Sequence, residues 1–486
     1  MQGKPVMEKV GIVSCGVYVP RYRLKREVIS EAWGGPPAKG EKAVANYDED
    51  ALTMAVEAGF DCLAGEDPGR AEGLFFASTS GPYAEKGHSS LVAAVLDLQE
   101  EILTADFGNS LSASTAALRA AFDAVRSQTA DRILVTATEQ RACEPGSELE
   151  LNVGDGAGAV LVGRSDLAAE LEGFHSISYE FTDLWRRQGD LYVRWGDPPF
   201  TFRYGYQKAV PQVIAELLRR CGLQPKEIHR LALYSPDPRG HVQVAKDLGF
   251  DPQLQVQDSM ADKVGLLGTA HPLLLLAGAL EACRPGDRIL MVSYGGGAHA
   301  FLFRATDRVA ELASRRFVSR QIGNKRELSS YNRYLQFRDF IRKEVSRPFT
   351  RSEEPFTSLA FLWKEQKQDI RFYGSCCKRC GLVQFPMRRV CLRCGSKDQM
   401  EDRKLSRRGK VYTFTKDYVF LTPDPPGVMV VVDLEGGGRF YGQMTDCPEQ
   451  LVEIGMAVEM TYRKWHEASG IHHYFWKCRP LLGGRE

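Results

Sequence analysis

Four cysteines, Cys377, Cys380, Cys391 and Cys394, form two Cys-x2-Cys knuckles separated by ten residues. Each knuckle offers two thiolates, and four thiolates can close a tetrahedral shell around one Zn2+. Gly381 and Gly395 directly follow the second cysteine of each knuckle, where a tight metal-binding turn needs positive φ. A shell of four sulfurs leaves no position open for substrate, so the spacing predicts a structural metal centre. The competing reading is a set of buried or disulfide-paired thiols. Cys15, Cys143, Cys221 and Cys283 lie elsewhere with no histidine at a suggestive spacing. They read as inert, with Cys221 and Cys283 expected as small buried thiols near helix ends.

Composition limits what surrounds this centre. At 486 residues the chain is too long for one ordinary core, and two or three domains are expected. Hydrophobic residues at 43% and charged residues at 26% fit a soluble globular protein, and a net charge of +1 gives no bulk attraction to nucleic acid or membrane. The opening MQGKPVMEKV lacks the apolar segment of a signal peptide. The longest apolar run, Pro272 to Ala279, is too short to span a bilayer. The 12 cysteines show no framework of regular spacings, which points to a reducing cytoplasm.

From about residue 8 to 305, apolar strand-like runs alternate with amphipathic helical stretches. The strands include VGIVSCGVYV, GLFFAS, RILVTAT, GAVLVG, LALYS, RILMVSYG and AFLFRA. Helices are expected at DEDALTMAVEAGFDCLA, SASTAALRAAFDAVRSQ, QKAVPQVIAELLRRCG and PLLLLAGALEACRPG. That rhythm predicts layered α/β architecture. DRILVTATEQ followed by GDGAGAVLVG echoes DRILMVSYGGGAHAFLFRA, as a duplicated fold would. Between Arg308 and Arg351 there are 12 Lys or Arg against 4 Asp or Glu, with Tyr331, Tyr334, Phe337 and Phe340 interleaved. This stretch reads as a solvated helix strapped to a surface by its aromatics. Contact with nucleic acid or with the phosphates of a nucleotide-like cofactor is the alternative. Beyond it come a helix at SLAFLWKEQKQDIRF, the knuckles, and five strand-like pieces suited to a small OB-type barrel.

Together these pieces resemble a known pairing. GIVSCGVYVPRYRLKREVISEAWG, GPYA, FTDLWRRQGDLYVRW, VAKDLGF, PGDRILMVSYGGGA and RELSSYNRYLQFRDF make the body similar to the archaeal and bacterial 3-hydroxy-3-methylglutaryl-CoA (HMG-CoA) synthase family of the thiolase superfamily. The C-terminal part resembles the thiolase-associated OB-fold protein with a rubredoxin-like zinc ribbon. The resemblance implies a five-layered αβαβα duplicated body, normally dimeric, with halves at 8–165 and 166–305. A basic extension at 306–350, a helix plus zinc ribbon at 355–400 and a barrel at 401–486 would follow.

The family's chemistry uses an acyl-carrying cysteine, a glutamate acid/base and a histidine. Registered on the family pattern, Leu111 stands at the cysteine position in LTADFGNSLSASTAALRAA. Thr79 stands at the glutamate position and Tyr234 at the histidine position, while Leu266 replaces an expected asparagine. Ser110 and Ser112 are one residue off the cysteine position and read as cap or packing residues. The glycine turns of GDGAGA and of Gly295, Gly296 and Gly297 keep the form that lets backbone approach a thioester or pantetheine, or that simply joins two strands.

Three functions therefore compete. The first is carbon–carbon chemistry of aldolase or retro-aldol type on acyl-CoA without an acyl-cysteine. There Tyr234 would act as base or donor if its pKa were lowered, and His271 as a second group; the plain alternative for His271 is a solvent-accessible first helical position. The second is a non-catalytic, acyl-CoA-binding partner of an active thiolase. The third is authentic HMG-CoA synthase activity.

Overall fold

The computed structural model describes residues 9–237, 240–342, 357–419 and 422–481. Nine strands build one sheet: β1 (Gly11–Tyr18), β2 (Gly73–Ala77), β3 (Leu103–Phe107), β4 (Arg132–Glu139), β5 (Gly156–Gly163), β6 (Ala169–Ser178), β7 (Arg230–Leu233), β8 (Arg288–Tyr294) and β9 (Gly297–Ala305). Their spatial order is β7-β8-β9-β6-β1-β5-β4-β2-β3. β1, β2, β4 and β5 are buried along their whole length. Burial on both faces is why they read as continuous apolar runs rather than as alternating strands.

The sequence echo is a structural one. β4 pairs antiparallel with β5 from Arg132↔Gly163, and β8 pairs antiparallel with β9 from Arg288↔Arg304. Parallel neighbours extend each pair outward, β2 and β3 beside β4 and β7 beside β8. The two halves join where β1 meets β6 over Gly11↔Glu170 and Ile12↔Ala169.

Four helices cover this framework: α1 (Ala51–Cys62), α2 (Ala113–Arg126), α3 (Gln207–Cys221) and α4 (His271–Ala282). α2 buries Ala113, Ala117, Leu118, Ala121, Phe122 and Val125 at helical spacing and turns Asp123 outward. α4 is buried at every residue from His271 to Leu280, as an apolar helix inside the molecule must be. No helix among the described residues is long and apolar enough to cross a membrane.

The basic stretch forms three short helices, Val309–Ser314, Phe317–Gly323 and Tyr331–Phe337, instead of one long strap. Its cations turn to carboxylates: Arg315 and Arg320 reach Asp61 at 3.5 and 2.8 Å, and Lys325 reaches Glu41 at 2.6 Å. Residues 343–350 of the stretch lie outside the described residues.

The chain divides into two compact units. One comprises 1–45, 50–93 and 98–334 and holds the sheet; the other comprises 46–49, 94–97 and 335–486. In the second, the helix expected before the knuckles is two short ones, Leu359–Lys364 and Gln366–Asp369. The ribbon strands β10 (Tyr373–Cys377), β11 (Val383–Gln384) and β12 (Met400–Lys404) follow in the order β11-β10-β12. All five expected barrel strands form: β13 (Arg408–Asp417), β14 (Gly427–Leu434), β15 (Arg439–Met444), β16 (Ala457–Ala468) and β17 (Ile471–Pro480). They close as β13-β14-β15-β17-β16. Trp476, fully buried, packs on Phe372 at 4.7 Å between ring centroids.

Candidate active site and metal centre

In the first unit, three parallel strands end at one crevice. Thr79 lies two residues past β2, Leu111 four past β3, and Gln140 and Arg141 directly follow β4. With the loop carrying Leu184, Arg186 and Val193 they line a cavity of about 820 Å³. Crevices at the carboxyl ends of strands are the usual ligand sites of α/β sheets.

The turn from β3 into α2 sets the floor. Asn109 takes φ +66, and Leu111 faces the cavity. Ser110 Oγ donates to the Gly295 carbonyl at 3.4 Å, and Ser112 Oγ donates to the same oxygen. Ser112 holds the N-cap position of α2, yet its side chain makes no cap bond. Its hydroxyl fastens the turn instead. A Cβ at Gly295 would lie 2.8 Å from Leu111 Cβ, and one at Gly297 would lie 2.0 Å from the Ile177 carbonyl oxygen. The Gly295–Gly297 turn is thus wedged behind the floor, and close backbone packing is what requires its glycines. No cysteine is among the residues lining the cavity.

Thr79 is not alone at the glutamate position. Glu139, the last residue of β4, is fully buried behind it. Its Oε1 accepts from the Thr79 amide at 3.1 Å and from Thr79 Oγ1 at 2.9 Å; its Oε2 lies 3.0 Å from Thr79 Oγ1 and accepts from Ser80 Oγ at 2.7 Å. Burial pushes the Glu139 carboxyl above the ordinary glutamate range, against the pull of Arg141 and the hydroxyl donors. Sequence reasoning missed this residue. Its one signal was a carboxylate closing an apolar strand.

Also lining the cavity, His88 Nδ1 lies 2.7 Å from Asp106 Oδ2, and the Tyr83 amide donates to His88 Nε2 at 3.3 Å. Asp106 also accepts from the amides of His88 and Ser89 at 2.7 and 2.9 Å. These donors hold it well below the usual carboxylate range, although half-burial opposes them.

Tyr234 is separated from the main cavity by Leu111 and Leu184, which line both it and a second cavity of about 60 Å³ shared with Tyr234, Asp183 and Tyr294. Burial pushes the Tyr234 hydroxyl up to about 12, the reverse of the lowering that a base there requires. His271 is 1% exposed, so solvent access at the helix start does not hold. Its Nδ1 accepts from the Leu267 amide at 3.2 Å and its Nε2 lies 2.9 Å from the Ser259 carbonyl. Burial lowers its pKa to about 4, so the ring is neutral. The Tyr234 and His271 rings approach to 5.4 Å between centroids. Leu266 sits in a backbone bridge to Val153.

Among curated proteins, the hydroxymethylglutaryl-CoA synthase of Methanopyrus kandleri is 33% identical over 342 residues, covering 68% of this chain and 97% of its own. That of Methanosarcina mazei is 33% identical over 346 residues, covering 68% and 99%. The chain belongs to the hydroxymethylglutaryl-CoA synthase family. Within the body, residues 218–304 match the family described as 3-oxoacyl-[acyl-carrier-protein] synthase III C terminal. MvaS in complex with 3-hydroxy-3-methylglutaryl coenzyme A has a similar fold, with TM-score 0.62 and 21% identity over 72% of this chain and 95% of that one. So does 3-oxoacyl-[acyl-carrier-protein] synthase III from Aquifex aeolicus VF5, with TM-score 0.55 and 23% identity over 61% and 99%. The fold is thiolase-like. This family member also carries a C-terminal part matching the ChsH2 rubredoxin-like zinc ribbon at 365–401 and the ChsH2 C-terminal OB-fold domain at 402–463.

The ribbon's donor set fits zinc. The four sulfurs lie within 4.8 Å of one another, with Cys377–Cys394 at 3.7 Å and Cys380–Cys391 at 3.5 Å. A tetrahedron with Zn–S near 2.3 Å places sulfurs roughly 3.8 Å apart. Gly381 and Gly395 take φ +71 and +68, as the knuckle turns require.

Proposed function

We propose that this protein binds acyl-CoA thioesters in the crevice of its first unit and makes or breaks a carbon–carbon bond there, in aldolase or retro-aldol fashion, without an acyl-cysteine. Leu111 carries the reading. It presents a hydrocarbon side chain at the strand-to-helix floor of a cavity of about 820 Å³ that is also lined by Ser78, Thr79, Ser80, Gln140 and Arg141. A leucine cannot hold an acyl group, whereas retro-aldol cleavage needs only a base for the β-hydroxyl and donors for the enolate oxygen. The CoA thioester comes from the names of the relatives and from the ligand of MvaS. Tyr234, protonated at neutral pH, lines the small cavity on the other side of Leu111 and not the crevice itself. His271 steadies the loop before α4, and the Gly295–Gly297 turn supports the floor. Zn2+ on the four cysteines is structural. Dimerisation through the first unit belongs to the same reading.

A second reading is a non-catalytic acyl-CoA-binding partner of a separate thiolase. It draws on the cavity having its one imidazole, His88, tied at both nitrogens. One experiment separates the two. The purified protein is incubated with β-hydroxyacyl-CoAs and acetoacetyl-CoA, alone and with a thiolase, while free CoA and carbonyl products are followed. Carbonyl release by the protein alone supports the enzyme; binding without turnover in either arm supports the scaffold.

A further inference from the structure

The crevice is short of a free acid/base at its surface. Asp106 is held anionic by four contacts, and His88 is tied at both nitrogens. Lys86 lines the crevice, but its ammonium lies over the Tyr83 ring at 5.1 Å. Glu139 is different. Burial moves its carboxyl toward neutrality, and both of its oxygens lie at hydrogen-bond distance from one hydroxyl, Thr79 Oγ1, whose residue lines the cavity. The groups whose fields couple to Glu139 are Arg141 and the Tyr234 hydroxyl. Gly268, at φ +52, leaves the space that Glu139 and Arg141 occupy: a Cβ there would lie 2.9 Å from Glu139 Cγ and 3.0 Å from Arg141 Nε.

We infer that Glu139 is the proton store of this site and that the Thr79 hydroxyl relays protons between it and substrate. The inference rests on the acyl-CoA reading above and supplies the acid/base that position 79 does not provide directly. In the cleavage direction, Thr79 Oγ1 takes the β-hydroxyl proton of a β-hydroxyacyl-CoA while handing its own to Glu139. The bond between C2 and C3 breaks, leaving a carbonyl product, and its electron pair passes to the thioester as enolate. The enolate then recovers a proton at C2 from Glu139 through Thr79, yielding a shorter acyl-CoA. Protons and electrons balance with no further reactant. Glu139 acts through Thr79 and is a positioning residue; Thr79 touches substrate.

Run backwards, the last step exchanges the C2 hydrogens of an acyl-CoA with solvent. The test is deuterium wash-in from D2O into acetyl-CoA and propionyl-CoA, measured by mass spectrometry on the full chain across pH. The base form is ionised Glu139, so exchange should rise with pH and level off above a midpoint higher than that of an ordinary glutamate. Thr79→Val, nearly isosteric, should lose exchange by roughly 100-fold, the lower range of general acid–base contributions. Glu139→Gln should do the same, while Thr79→Ser should stay within about tenfold of wild type. Thr79→Val should keep the wild-type melting transition and still bind CoA thioesters by calorimetry, which separates relay loss from misfolding. Exchange at the wild-type rate in Thr79→Val overturns the relay alone. Wild-type protein that binds the thioesters but neither exchanges nor cleaves them overturns the relay together with catalysis. Wild-type protein that binds none overturns the acyl-CoA reading itself.

Discussion

At the scale of single residues, the site is defined as much by imidazoles that are occupied as by the thiol it lacks. His271 shows what such occupation does to stability. Its folded pKa is near 4, whereas an unconstrained histidine titrates near 6.5. The unfolded chain therefore binds the extra proton first as pH falls, and stability rises with pH across that interval. The stabilisation is complete above about 6.5 and is lost progressively toward about 4, a change on the order of 3 kcal/mol. Urea midpoints at pH 7 and pH 4.5 should differ less in His271→Gln than in wild type. An equal pH dependence in both proteins would show that the ring is not the titrating group. What sequence showed at this scale was uneven. Leu111, Thr79 and Tyr234 could be placed by register, because each sits beside a recognisable strand or helix boundary. Glu139 could not, because its importance comes from a hydroxyl sixty positions away in the chain.

At the scale of elements, legibility followed burial. β4 and β8 were plain in the sequence because buried strands admit little but apolar residues. β6 and β3 were overlooked because polar and partly exposed residues interrupt them. The helix expected before the ribbon was broken by physics that its composition does not reveal: the structure ends one helix at Lys364 and starts the next at Gln366. The knuckles were readable in full, since four thiolates at fixed spacing serve one purpose. Their short strands have little core of their own, so ribbon folding should depend on the ion. Metal analysis of purified protein should find one zinc per chain. Cys377→Ser should abolish it, and strong chelation should release ribbon residues to protease while the first unit keeps its melting transition. Full ribbon protection after complete zinc removal would contradict this account.

At the scale of the whole molecule, the chain feeds its second unit from distant sequence. Residues 46–49 and 94–97 belong with 335–486, and no local pattern announces it. The link is electrostatic. Arg463, fully buried, contacts Asp48 at 3.2 Å, Glu49 at 2.7 Å and Asp446 at 2.5 Å, and Lys477 reaches Asp48 at 2.8 Å. Buried pairs of this kind add little net stability when complete, because desolvation offsets attraction. Losing one side leaves buried charge uncompensated, at a cost of about 3–5 kcal/mol. A fragment spanning 357–481 keeps Arg463 and Lys477 but lacks Asp48 and Glu49. It should therefore unfold at lower urea than the same barrel in the intact chain, with barrel unfolding read from the fluorescence of buried Trp476. Replacing Lys477 by methionine should restore part of the fragment's loss, since it removes the cation whose carboxylate, Asp48, the fragment lacks. The same change in the full chain should destabilise it by taking a cation from buried Asp48. Opposite signs in the two contexts are the signature of a charge cluster completed by the N-terminal segment; matching signs would mean that the barrel is balanced without it.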